Sequence, residues 1–276
     1  MDDFSTLIGK TERQSDVVTD GLVQRYRAVI GSDHKQGEIP DGLHWCTGLP
    51  KAPMNELGED GHPKTGGFLP ASKLPRRMWA SSKVDFLSPI KTGAKVERLS
   101  TIKSIKEKTG RSGALLFVEV EHVTEADGVK AISEMQTIVY REASSAKAKL
   151  PVPTDLELDE WAFTKKIMPT AALLFRFSAL TFNTHRIHYD YDYATDVEGY
   201  PALVVHGPLM ASLLLNFAGD VADGAKITQF QFRGLSPAYC DQELTLAANI
   251  ANSALDLAII GVDGAKIMAA SAAIKI

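Results

Sequence analysis

Cysteine is nearly absent: among 276 residues only Cys46 and Cys240 are thiols, far apart and without CxxC spacing. That excludes a disulfide framework and a cysteine-built zinc site, and leaves two idle or buried thiols as the expectation. An excess of charge of either sign is lacking as well. The formal net charge is -4, and no long Lys/Arg run supplies the electrostatic footprint of a nucleic-acid-binding protein. No apolar run approaches the roughly 20 residues that span a bilayer, and the start Met1-Asp2-Asp3-Phe4 is acidic where a secretory signal is basic. A cytoplasmic protein with neither membrane nor nucleic-acid partners is expected. No Gly-rich phosphate loop follows a strand, and no carboxylate or Cys stands at ligand spacing from the main His cluster, so no cofactor and no metal are expected.

What is present is a chain whose halves rhyme. Residues 84–102 read VDFLSPIKTGAKVERLSTI, and residues 230–250 read FQFRGLSPAYCDQELTLAANI, with Ser88-Pro89 and Ser236-Pro237 at matching places. Further on, GVKAISEMQTIVY from Gly128 matches GAKIMAASAAIKI from Gly264, a second copy shorter by a hairpin turn. Internal duplication is the reading that follows. Each copy predicts a helical segment and then long strands rich in Val, Ile, Phe and Thr and bounded by Gly-containing turns. In the first copy the strands are expected over 76–86, 95–107, 114–125 and 129–141, and in the second over 226–232, 243–251, 254–262 and 266–276. Short turns between successive strands mean antiparallel sheets, so the fold class is α+β, two antiparallel sheets each wrapping a central helix; in the second copy that helix runs through 209–218. A Pro- and polar-rich linker over 143–159 separates units at 1–145 and 160–276. Residues 35–75 have no counterpart. Their many Gly and Pro residues, interleaved with Trp45, Phe68 and Leu69, predict an ordered loop covering a site.

The chemistry concentrates between Phe177 and Ser212, FSALTFNTHRIHYDYDYATDVEGYPALVVHGPLMAS. Asn183, His185 and His188 lie close together, and imidazole is the side chain best suited to exchange protons near neutrality. An apolar run then ends at His206-Gly207-Pro208, where Pro pre-sets the first turn of a helix whose free N–H groups can receive developing negative charge. Gly207 permits close approach to that backbone.

This passage is similar to the signature of R-specific enoyl-CoA hydratases and MaoC-like dehydratases, Asp-x-Asn-Pro-x-His followed by a segment close to His-Gly-x-x-x-x-Ser-Leu. Residue by residue, His188 falls on the catalytic His, Asn183 on the catalytic Asp, His185 on the Asn, Arg186 on the Pro, and His206-Gly207 with Ser212-Leu213 on the second element. An amide cannot act as a base, so His188 must carry the proton transfer, with Asn183 orienting it or the water, or with His185 sharing the work. Over nearly the full length, GEDGHPKTGGFLP, LPRRMWAS, KTGRSGALLFVEVEH, QTIVYRE, RFSALTFNTHRIHYD and VVHGPLMASLL resemble the double hot-dog subgroup that includes mesaconyl-CoA hydratase and the mitochondrial hydroxyacyl-thioester dehydratase. The resemblance implies a tandem hot-dog fold and reversible hydration of an enoyl thioester. It also implies a catalytic C-terminal half, and an N-terminal half that shapes acyl-thioester binding and has lost the dyad; the loosely corresponding stretch AVIGSDH agrees with that loss.

An acyl-CoA or acyl-ACP substrate carries phosphates, which makes Arg76, Arg77, Arg111 and Lys108 candidates at the mouth of a site. A dicarboxylic acyl group would need a cation deeper in, for which Arg186 and Arg233 are the candidates. His206 is expected to contact substrate or fix the loop ahead of the helix, and the alternating Tyr189, Tyr191 and Tyr193 to line an acyl tunnel or to pack. Because two hot-dog units in one chain mimic a hot-dog dimer, a monomer or a homodimer is expected.

Overall fold

The computed structural model describes residues 4–32, 39–110, 113–143 and 147–275. In the first half, β1 (Thr11–Val17) and α1 (Asp20–Ile30) precede β2 (Arg76–Phe86), β3 (Lys95–Gly110), β4 (Gly113–Ala126) and β5 (Val129–Arg141). The second half repeats the order: β6 (Phe163–Ile167), α2 (Ala171–Thr181), α3 (Gly207–Val221), then β7 (Lys226–Gly234), β8 (Leu244–Ala251), β9 (Ala254–Ile260) and β10 (Lys266–Lys275). Strand alternation places all eight strands expected from sequence within a few residues. The short strands β1 and β6 escape it, because the exposed Phe163–Ile167 and the polar Thr11–Val17 each bury almost nothing.

All ten strands form one antiparallel sheet in the order β1-β3-β4-β5-β2-β7-β10-β9-β8-β6. The second five mirror the first, which is the spatial form of the duplication. The two expected sheets are continuous because β2 pairs with β7, with Ser81 opposite Arg233 and Val84 opposite Phe230. The linker is irregular and lies on the second half, where Ala148 N–H donates to Gly199 O and Thr154 N–H to Val262 O; residues 144–146 lie outside the described residues.

Helix α3 is the long central helix. Every residue from Leu209 to Ala218 is buried, which an amphipathic surface helix could not show. It packs on β7, β8, β9 and β2, and α1 also touches it. Both shorter helices begin at a Thr whose hydroxyl accepts an N–H of the first turn, Leu22 N to Thr19 and Leu173 N to Thr170. The first half has no helix of that length among the described residues. Residues 39–75 hold Gly or Pro every few positions and support only the 3-10 turns Leu43–Cys46 and Met54–Glu56. In place of a central helix, Trp45 plugs the junction between halves, its ring 5.7 Å from Trp79 and 5.9 Å from Phe232. Its Nε1–H donates to the buried carboxylate of Glu134, which also accepts from Ser82 Oγ. Cys46 and Cys240 are free and buried, and burial pushes the Cys46 thiol up to about 12. Among the described residues no helix is long and apolar enough to cross a membrane.

Candidate active site

The second-half motif folds as a tight sequence of turns. Helix α2 ends at Phe182 in the left-handed region, and Asn183 then accepts His185 N–H on Oδ1 at 2.9 Å, an Asx turn. The 3-10 turn Arg186–His188 follows and aims both histidines inward. His188 Nδ1–H donates to Val204 O at 2.6 Å. That bond fixes the tautomer: Nε2 carries the lone pair, and it has no protein partner among the described residues.

Four of the seven histidines of the chain meet here in one file of rings. His206, at the N-cap of α3, is 0 % exposed and stacks on His188 with centroids 3.6 Å apart and planes at 19°. Ser178 on α2 holds His206 Nε2 at 2.8 Å, and His206 Nδ1 has no partner. His188 lies edge-on to His185 at 5.4 Å, and His185 lies against His62 at 4.1 Å. His62 comes from the loop of the first half. Its Nδ1–H donates to Asp60 Oδ2 at 3.0 Å.

The loop reaches the motif because Gly61 lets it. Gly61 is in the left-handed region, and a Cβ there would collide with the carbonyl oxygen of Thr184. At this close approach Arg186 N–H donates to Asp60 O at 2.8 Å, Thr184 Oγ1 to Gly61 O at 2.5 Å, and Arg186 Nη1 to Glu59 O at 3.2 Å. The loop expected to cover a site therefore contributes residues to it.

The electrostatics follow from burial. Burial lowers His188 to about 3, against the raising effect of the Val204 bond. His185 and His206 are likewise pushed down by burial and then by neighbouring imidazoles, and His62 is lowered by burial although Asp60 opposes it. Burial alone would raise Asp60, but the His62 ring and backbone hold it at the low end of the carboxylate range. The site is thus four neutral imidazoles with one carboxylate at its outer end.

The remaining candidates separate. Arg77 is half-buried and near enough to depress both His62 and His185. Arg76 is committed elsewhere: its Nε lies 2.9 Å from Glu198 Oε2, it also donates to the Glu198 carbonyl, and its guanidinium stands over Tyr200. It bridges the halves as a buried ion pair and is not free at a mouth. Arg186 pairs with Asp190 at 2.7 Å and lies over the ring of Tyr193, so it clasps the loop and does not line a deep pocket. Arg233 is exposed on β7. Lys108 is exposed over Phe117, and Arg111 lies outside the described residues. Tyr193 is buried beneath Arg186 while Tyr189 and Tyr191 stand in solvent, so the three line no common tunnel. Gly207 starts α3, where a Cβ would meet only Trp79 O at 3.6 Å. Of AVIGSDH, Asp33 and His34 lie outside the described residues.

Residues 42–240 match the family model for hydroxyacyl-thioester dehydratase type 2. The chain belongs to that family. It is 40% identical over 277 residues, 98% of this chain and 97% of the other, to mesaconyl-C(4)-CoA hydratase of Chloroflexus aurantiacus. It is 27% identical, over 79% of this chain and 80% of the other, to the mitochondrial hydroxyacyl-thioester dehydratase type 2 of Schizosaccharomyces pombe. Among solved structures, a MaoC-like dehydratase superposes with a TM-score of 0.73 at 14% identity, covering 98% of this chain and 99% of that one. A double hot-dog protein of Mycobacterium tuberculosis does so at 0.60 and 11%, covering 97% and 96%. The fold of this family member is the tandem hot-dog. Asp60, Gly61 and His62 fall within the family match, and sequence reasoning did not single them out. They lie inside GEDGHPKTGGFLP, whose resemblance was visible, but nothing local in the sequence pairs that stretch with His185. The ligand atoms of Asp60, His62 and His185 lie within 4.8 Å of one another, so the fold supplies a carboxylate that the linear motif lacks.

Proposed function

We propose that the protein reversibly adds water across the α,β-double bond of an enoyl thioester, with His188 as the proton-transfer group. The observation that carries this reading is the fixed tautomer of His188, whose Nδ1–H is spent on Val204 O and whose Nε2 lone pair is free inside a buried site. In hydration the oxygen of water bonds to Cβ, its proton passes to His188 Nε2, and the double-bond electrons move onto the thioester as an enolate. The imidazolium then returns the proton to Cα, so that one water is added and the enzyme is unchanged. The first-turn N–H groups of α3, Gly207 first, are the donors for the enolate oxygen, with His206 beside them. Asn183 acts by holding His185 in its turn.

Units at 1–145 and 160–276 divide the labour: the second carries the motif, and the first frames the acyl-thioester and lends its loop. The acyl group is a short branched or dicarboxylic one such as mesaconyl-CoA, supported by the 40% identical relative of that name. Arg77, charged and close to His62 and His185, is the cation suited to a terminal carboxylate. Dehydration of a 3-hydroxyacyl thioester, carried on ACP, is the second reading; the yeast relatives, named hydroxyacyl-thioester dehydratases, support the dehydration and leave the carrier open. A hydration screen over enoyl-CoA thioesters that differ in chain length and terminal carboxylate tests both. Preference for dicarboxylic C4–C5 substrates is expected. Free thiol released without hydroxyacyl product, or no turnover over the whole panel, would overturn the hydratase reading.

A further inference from the structure

The water-holding pair of a hydratase needs two acceptors, because both O–H bonds of the attacking water must point away from the alkene while an oxygen lone pair points at Cβ. Within the second-half motif His188 has its acceptor nitrogen, Nε2, fixed by a hydrogen bond from Nδ1–H to a backbone carbonyl, whereas no ring nitrogen of the neighbouring neutral His185 has a hydrogen bond among the described residues that would set which one accepts. Asn183 stands where a carboxylate is usual, and its Oδ1 spends one of its two lone pairs on the His185 N–H. The motif is therefore short of a second acceptor fixed in place and in tautomer.

The loop of the first half brings it. His62 has the same construction as His188: an acceptor behind Nδ1, here Asp60 Oδ2 at 3.0 Å, which holds the proton on Nδ1 and leaves a lone pair on Nε2. The two rings flank His185, at 4.1 Å and 5.4 Å between centroids. The loop is seated by three hydrogen bonds and by a backbone approach that only glycine permits at position 61. No other carboxylate among the described residues shares a ligand-spaced cluster with these rings.

Resting on the hydratase reading, we infer that His62, held by Asp60, is a second catalytic residue, and that the half expected to be non-catalytic completes the site. His62 Nε2 accepts one O–H of the water while His188 Nε2 removes the other proton as the C–O bond forms. That proton is the one returned to Cα, and the His62 hydrogen bond stays with the new hydroxyl, so the balance of the reaction is unaltered. Asp60 keeps His62 in the tautomer that accepts, and its negative charge offsets the imidazolium formed on His188.

The test begins with wild-type protein on the enoyl-CoA it turns over best, since failure there would sink the hydratase reading and not this one. His62→Ala is expected to lower kcat about a hundredfold with a much smaller change in KM. Added imidazole, admitted because the His62 side chain is 21 % exposed, is expected to restore part of the rate, which no repair of a merely structural defect would do. Asp60→Asn, which offers Nδ1 a donor and so favours the wrong tautomer, is expected to lower kcat by about tenfold or more without imidazole rescue. Thermal melts of each variant, compared with wild type, separate lost chemistry from lost folding, and His62→Gln serves if the alanine variant is unstable. Near-normal kcat in folded His62→Ala would overturn the inference. So would activity lost on dialysis against chelator and regained with zinc alone, which would make the cluster a cation site.

Discussion

Four buried neutral imidazoles should make this protein sensitive to mild acid, and the effect can be worked through for His188. In the native protein burial holds its pKa at about 3, against an ordinary value of 6.5. A depressed histidine pKa means that the unfolded chain binds a proton the native state refuses, so stability is complete above about pH 6.5 and is lost as pH falls towards the native value. At about pH 5 the unfolded ring is nearly all protonated and the native ring nearly all neutral, which costs about 2 kcal/mol, while at about pH 7.5 the cost is close to zero. His185, His206 and His62 add to it in the same direction. The depressed carboxyls of Asp60 and Glu134 do not enter the window, because their contribution is lost only at lower pH. Urea unfolding of the ligand-free protein between about pH 7.5 and 5, with constant m-value, measures the total. His188→Phe, which keeps a ring of similar size, should flatten the slope by about 2 kcal/mol over that range, with His188→Gln as the second variant. Wild-type stability unchanged across the window, or an equal slope in both variants, would refute the reasoning.

Three further outcomes are expected. His188→Ala should lower turnover about a hundredfold or more while leaving the fold intact, read from hydration of crotonyl-CoA or mesaconyl-CoA beside a thermal melt. Gly61→Ala should displace the loop from Thr184 and lower kcat by about a hundredfold, since misplacing a positioned group by an ångström costs that much, with little change in the melting temperature of the sheet. Arg76→Met should strand the Glu198 carboxylate and destabilise the protein by about 3 kcal/mol, whereas the double change with Glu198→Leu should recover much of the loss, both read from urea midpoints.

The sequence by itself determined eight of the ten strands, the duplication and the place of the motif, because these depend on periods of two residues, on turn glycines and on a helix start, all written within a few positions. It also marked residues 35–75 as an ordered loop over a site. Tertiary structure alone decided what that loop delivers. Asp60 and His62 look like ordinary loop residues until Gly61 seats them against Thr184 and Arg186. Arg76 looks like a candidate for phosphate until β2 carries it under Glu198. The absence of a carboxylate beside the histidines was true of the linear motif and untrue of the folded site. Whether an acid and a base meet depends on which backbones can approach closely, and that is a property of packing between the two halves, which local patterns do not encode.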